Sequence, residues 1–256
     1  MERLPRSRAS AMAVLQLALS FLTTIPFPRL GAVSDEKMSR TVAFFPFVGL
    51  VVGFFNVLCY LLGLSLFTTS VAAWLSLIAN AVITGGLHLD GWMDTFDALG
   101  SRKPRSEMLA VMKDSRIGAM GALAVVLLLG LKFSLLTELH ARPALILLAP
   151  AVGRSAILFA TQTYSYVREQ GLGKSFTQSL ARTSWIFALA TLVAPLLMLT
   201  GALGAVAATV ALLLAMLWAR LLARTFGGLT GDTYGALNEL AEALFLLTAV
   251  GMLGVS

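Results

Sequence analysis

From Thr41 to Leu87 the chain carries no charged side chain. A helix crosses a bilayer core with ~20 apolar residues. This run is therefore long enough for two crossings, and Gly63-Leu-Ser-Leu-Phe-Thr-Thr-Ser70 supplies the turn between them. Soluble domains carry about 25% charged residues; this chain carries 12%, against 58% hydrophobic. Charge that scarce cannot coat the outside of a water-soluble fold of 256 residues, so the chain is a polytopic membrane protein.

The remaining apolar runs complete an all-α, polytopic transmembrane helical bundle. Gly118 to Leu136 reads as one span. Pro143 to Thr163 reads as another, with proline at the first helical turn, where its missing N–H costs nothing. Thr183 to Ala219 is again uncharged and long enough for two spans, broken near Thr200-Gly-Ala-Leu-Gly204. Arg220 to Glu242 reads as a polar segment, followed by a short apolar end that begins near Leu240. Met12 to Ile25 is too short to cross and repeats Gln16, Ser20, Thr23 and Thr24 at helical spacing, as an interfacial or re-entrant helix does. The expectation is about seven spanning helices plus one N-terminal interfacial or re-entrant helix, as a single domain over 1–256 with no soluble domain and no repeat.

The net charge of +6 is topology rather than a nucleic-acid footprint, because lysines and arginines collect on the cytoplasmic side of membrane proteins. They lie in the N-terminal arm and the connector Pro26 to Arg40, in Trp92 to Arg116, in Tyr164 to Arg182 and in the Arg220 segment. Only Lys132 and Arg142 fall opposite, so those four segments share the cytoplasmic face. Arg3, Arg6 and Arg8 before an apolar stretch imitate a signal peptide, but no small-residue cleavage site follows and the segment reads as retained.

Against this sparse background, His88-Leu-Asp-Gly-Trp-Met-Asp-Thr-Phe-Asp97 stands out. On a helix, Asp90, Asp94 and Asp97 fall at i, i+4 and i+7 and share a face, where like charges repel unless a cation lies between them. An all-oxygen donor set suits a hard divalent ion, Mg²⁺ first. A solvated acidic helix end is the plain alternative. One cysteine, Cys59, and two distant histidines, His88 and His140, provide neither an internal disulfide nor a Cys/His zinc site.

The wider inventory fits a metal-bound, anionic, water-soluble substrate. Asp90, Asp94, Asp97, Asp114, Asp232, Glu239 and Glu242 accompany Arg102, Lys113, Arg116, Arg154 and Lys174. Carboxylates hold the ion and arginines take the remaining phosphate oxygens, which is most of what phosphoryl transfer asks of a protein. Arg154 lies well inside its span, where an arginine costs ~2.5 kcal/mol or more and marks a functional site by default. Asp232, Glu239 and Glu242 can form a second metal position, or Asp232 can simply cap the last helix. Gly171-Leu-Gly-Lys-Ser175 looks like the end of a P-loop, but Arg168 stands where the first glycine belongs and no strand precedes it. A transporter with an intramembrane ion pair is the competing class.

Three motifs, His88-Leu-Asp-Gly-x-x-Asp-x-x-Asp97, Met112-Lys-Asp-Ser-Arg-Ile-Gly118 and Gly227-Gly-Leu-Thr-Gly-Asp-x-Tyr-Gly-Ala236, resemble the cobalamin synthase (adenosylcobinamide-GDP ribazoletransferase) family. Phe21-Leu-Thr-Thr-Ile-Pro-Phe-Pro28 and Phe45-Pro-Phe-Val-Gly49 are similar to it as well. The resemblance implies a multi-pass enzyme of the bacterial inner (plasma) membrane that joins α-ribazole, or its 5′-phosphate, to adenosylcobinamide-GDP and releases GMP with Mg²⁺ at a cytoplasmic site. Partners implied are these two substrates and the lipid bilayer, with a homo-oligomer and association with other late cobalamin enzymes left open.

On that reading Asp90, Asp94 and Asp97 are metal ligands, with Asp114 or Asp232 completing the metal site. Arg116, Lys113 and Arg154 neutralise phosphate oxygens, while His88, Lys174 and Glu239 contact substrate. Asp97 or Asp232 accepts the proton of the acceptor hydroxyl. CDP-alcohol phosphotransferases, with their own aspartate run on membrane helices, are the nearest enzymatic alternative.

Overall fold

A computed structural model describes residues 11–28, 33–140, 142–168 and 172–254. The N-terminal arginines Arg3, Arg6 and Arg8 lie outside the described residues, so their role in topology does too. Among the described residues there is no β-strand, only an isolated bridge between Tyr166 and Leu229.

The chain opens with α1 (Ala11–Leu22) and α2 (Asp35–Thr41), capped by Ser34, whose hydroxyl accepts from the Lys37 N–H. A 3-10 turn, Val42–Phe44, carries α2 into α3 (Phe45–Leu66). Then follow α4 (Thr69–Thr84), α5 (Leu87–Gly100), α6 (Arg105–Val111), α7 (Ala119–Glu138), α8 (Pro143–Thr163) and the short α9 (Leu172–Phe176). The long α10 (Arg182–Phe226) and α11 (Gly231–Gly254) end the described chain.

Among the described residues, five helical stretches are long and apolar enough to cross a membrane: Asp35–Leu66, α7, α8, α10 and α11; the bent pair α4–α5 makes a sixth. The expected seven counted the stretch that forms α10 as two crossings, which is what separates it from six, and the run ending at Leu87 as one. That run is not one straight helix: α4 has 16 residues and stops at Gly85 and Gly86, both at positive φ, and α5 leaves at 90°. Only glycine adopts two successive left-handed residues without a Cβ penalty, so the turn that aims α5 is written in that pair. The break expected near Thr200 is present: α10 has 45 residues, and Gly201, at φ 58 and ψ −142, divides it into two helices. At 1.5 Å per residue its length is roughly twice a bilayer core. α1, with 12 residues, is too short to cross.

α8 is the centre of the bundle. Almost every side chain from Leu145 to Thr161 is buried, and the helix packs against α3, α10 and α11. Outward faces are the reverse of a soluble protein's: Phe54, Leu62, Leu127, Met198 and Leu213 are exposed. Lipid is the solvent such a surface requires.

The segment from Arg220 to Glu242 departs from the polar loop expected of it. α10 runs to Phe226 and α11 begins at Gly231, so Glu239 and Glu242 sit inside a membrane helix rather than on a polar face. They belong to a buried ionic cluster. Lys132 Nζ, on α7, donates to Glu239 Oε2 at 2.6 Å and Glu242 Oε2 at 2.8 Å. Arg154 Nη1, on α8, lies 3.4 Å from Glu242 Oε1, and Asn238 Nδ2 donates to the same oxygen at 2.9 Å. Two cations and two anions make it neutral, which is what allows it inside the bundle.

Candidate active site

α5 presents the acidic face as the spacing predicts, and its crossing with α11 brings in the fourth carboxylate. A Cβ on Gly91 would lie 2.6 Å from the Asp232 carbonyl oxygen, and one on Gly235 would lie 3.2 Å from the His88 Cα. Two glycines facing each other let the helix starts touch through backbone. Asp94 accordingly feels the charges of Asp90, Asp232 and Asp97, opposed by Arg168.

The start of α11 is set by the Gly-Gly-Leu-Thr-Gly stretch. Gly227 closes α10 in the left-handed conformation. Thr230 and Thr233 then cap reciprocally: the Thr233 N–H donates to Thr230 Oγ1 at 3.1 Å and the Thr230 N–H to Thr233 Oγ1 at 2.8 Å. Because threonines do the capping, Asp232 is released from the cap role that the sequence allowed it. It accepts instead from Arg168 Nη2 at 2.5 Å. Arg168 reaches it because Val167 N–H donates to the Leu229 carbonyl and Leu229 N–H to that of Ser165, tying the segment after α8 to the loop before α11.

Asp97 has a different duty from its neighbours. Its carboxylate accepts the Gly118 N–H at 2.8 Å and the Gly121 N–H at 2.7 Å, which places an anion at the start of α7. Asp114 and Arg116 hold each other, with Nη2 to Oδ2 at 2.6 Å and Nε within 3.1 Å of both oxygens. These hydrogen bonds pull the Asp114 carboxyl down to about 2.

Two cavities adjoin at Asp90. One, of about 280 Å³, is walled by Asp90, Asp94, Asp97, Lys113, Asp114 and Arg116. The other, of about 260 Å³, is walled by His88, Asp90, Arg168, Asp232 and a group of aromatic side chains. Eight of the expected site residues therefore gather around the two: Asp90, Asp94, Asp97, Lys113, Asp114 and Arg116 in the first, His88 and Asp232 in the second.

Three do not. Arg154 is fully buried, faces Glu242 and the Pro150 carbonyl, and lines neither cavity. Glu239 is held by Lys132 and lines neither cavity. Lys174, exposed on α9, lines neither cavity. Arg168, Tyr166 and Tyr234 belong to the site without having been singled out. Tyr234 was in view inside the last motif, whereas Arg168 had no signal beyond spoiling a P-loop.

Among the described residues, no three His, Cys, Asp or Glu side chains converge into a ready-made metal cage. That is compatible with Mg²⁺, which is commonly held by one or two carboxylates together with substrate phosphates and water. The donor chemistry fits: oxygen only, and an excess of negative charge around Asp94.

The Gly91 crossing gives a direct test. Gly91→Val pushes α5 off α11, lowers the thermal midpoint in detergent by an overpacking cost of about 1–3 kcal/mol, and separates Asp94 from Asp232. Gly130→Ala, on α7 with nothing within 4 Å of the added Cβ, leaves both stability and activity near wild type.

Comparison with known proteins follows the same residues. The family model for cobalamin-5-phosphate synthase matches residues 14–250. A protein of Brevibacillus brevis named adenosylcobinamide-GDP ribazoletransferase is 41% identical over 91% of this chain and 96% of its own. Proteins of the same name from Desulfitobacterium hafniense and a Roseiflexus species are 40% and 38% identical, over 95% and 96% of this chain and 98% and 92% of theirs. No solved structure matches the chain.

Proposed function

The chain belongs to the cobalamin-5-phosphate synthase family, and from that premise we propose that it is the multi-pass membrane transferase joining α-ribazole, or its 5′-phosphate, to adenosylcobinamide-GDP with release of GMP. The observation that carries the reading is the junction at Asp90: a carboxylate-rich cavity with Lys113 and Arg116 on its wall opens beside a second cavity that Asp232 also lines. Family membership sets aside the CDP-alcohol phosphotransferase and ion-coupled transporter alternatives.

In the proposed reaction the ribazole 3′-hydroxyl oxygen forms a bond to the phosphorus on the cobinamide side of the diphosphate. The bond from that phosphorus to the oxygen bridging to GMP breaks, and GMP leaves with the bonding pair. A bound Mg²⁺ would supply charge neutralisation for the leaving phosphate. Asp90 and Asp94 hold it, with Asp97 and Asp232 within the same field. Lys113 and Arg116 take outer phosphate oxygens, Arg116 keeping Asp114 as its own counter-ion.

Of the two carboxylates considered as proton acceptor, Asp97 has both oxygens engaged by the Gly118 and Gly121 N–H groups, which commits it to the start of α7. Asp232 lines the second cavity beside Asp90 and is the base we assign. The basic segments fit a cytoplasmic opening in the inner membrane, where nucleotides are found.

The test is GMP formation from adenosylcobinamide-GDP and α-ribazole by the purified full-length protein in detergent, with no sealed compartment. Mg²⁺-dependent GMP release matched by corrinoid product supports the reading. Product without Mg²⁺ removes the metal role, and no product at all removes the function.

A further inference from the structure

The second cavity has a composition the phosphate chemistry does not call for. Phe21 of α1, Phe45 of α3, Phe176 of α9, Tyr166 and Tyr234 line it together with His88. These come from six separate parts of the chain. Phe176 meets Phe21 edge-on at 5.3 Å and Phe45 at 5.5 Å, and Tyr166 stacks with Tyr234 at 6.2 Å. Among the described residues, three polar atoms of the wall side chains are buried and without a hydrogen-bond partner: Arg168 Nε, the Tyr234 hydroxyl and His88 Nε2, the last two on side chains each 4% exposed. Buried groups left unpaired are costly, and in a cavity wall they point to a ligand that pairs them.

We propose that this cavity is the subsite for the bicyclic aromatic base of the acceptor nucleoside, resting on the transferase reading above. Its volume of about 260 Å³ suits a two-ring base and not a corrin macrocycle. Guanine, the other base in the reaction, presents several donors and acceptors along one edge, which the Phe21, Phe45 and Phe176 end of the cavity leaves unpaired, while Asp90 and Asp232 at its polar end are left for the sugar. A benzimidazole has a single free ring nitrogen, which accepts from the Tyr234 hydroxyl, and an apolar benzo edge for Phe21, Phe45 and Phe176. His88 Nε2 is left for the sugar side. With the base seated there, the ribose falls toward Asp90 and Asp232, where the two cavities meet. The Phe21 and Phe45 motifs thereby gain a role: they build the wall that chooses the acceptor.

The experiment reads equilibrium binding of two probes, α-ribazole and GDP, to the full-length protein in detergent, and KM for each substrate in turnover. Tyr234→Phe keeps the ring and removes only the hydroxyl. It is expected to weaken α-ribazole binding and raise its KM about tenfold, with GDP binding and donor KM within twofold of wild type. Phe176→Leu gives a second loss confined to α-ribazole, with its fold checked by thermal midpoint. Weakened GDP binding with unchanged α-ribazole binding would assign the cavity to the donor base and overturn the proposal. Unchanged binding of both probes in both variants overturns it too. Because binding is read apart from turnover, a protein that binds α-ribazole through Tyr234 yet forms no GMP overturns the transferase reading and leaves the subsite standing.

Discussion

Asp94→Asn abolishes most GMP release, by about 10²–10³-fold, the scale seen when a charge-stabilising group is removed from a transition state, while the thermal midpoint holds or rises. The two halves of this expectation have one cause. Asp94 sits where the fields of Asp90, Asp97 and Asp232 overlap, with Arg168 as the countering charge. Folding without a cation must press these anions together, so the side chain that serves the metal also strains the empty protein. An amide of the same shape relieves the repulsion and loses the metal. Measured side by side, activity falls and stability does not, and the Mg²⁺ concentration for half-maximal rate rises in whatever turnover remains. Near-normal GMP release at saturating Mg²⁺, or a variant that fails to fold, would each contradict this account. Asp97→Asn behaves differently because its partners are the Gly118 and Gly121 N–H groups: there the fold suffers along with the rate.

That contrast also marks how far the residues can be read without coordinates. Helical spacing alone placed Asp90, Asp94 and Asp97 on one face, because the period of a helix is local information. The uncharged run from Thr41 and the break near Gly201 were legible for the same reason. What Asp97 bonds to lies 21 and 24 residues downstream, and no periodicity reports such a pairing. The larger misreading, of Arg220 to Glu242 as a polar surface, came from taking Glu239 and Glu242 as evidence of water. Their partner Lys132 is more than a hundred residues away and was itself assigned to the opposite surface. Charge in a membrane chain marks either an interface or a partner, and the partner is visible only once the helices are packed. Arg154 was right as a buried charge, but the partners it meets, Glu242 and the Pro150 carbonyl, lie in that cluster rather than at either cavity.

Lys132→Met gives the largest expected loss of stability. Removing one partner of a buried ion pair leaves the other uncompensated at a cost of about 3–5 kcal/mol, and here Glu239 and Glu242 are both left facing Arg154 alone. For a chain of this length the unfolding midpoint in detergent falls by roughly 10 °C. The double variant Lys132→Met with Glu239→Gln removes one charge of each sign, keeps the Arg154–Glu242 pair at 3.4 Å, and recovers most of the midpoint. Its turnover then decides what the cluster is for. Lys132 ties α7 to α11, and the same two helices carry the ends of the site, α7 through the Asp97 anchor and α11 through Asp232. If the cluster is the brace that holds those two helix ends in register, the double variant works at near wild-type rate once folded, and Lys132→Met loses activity only in step with its folded fraction. If the charges themselves move protons or ions through the bilayer to drive the reaction, the double variant is stable and inactive, and the brace account fails.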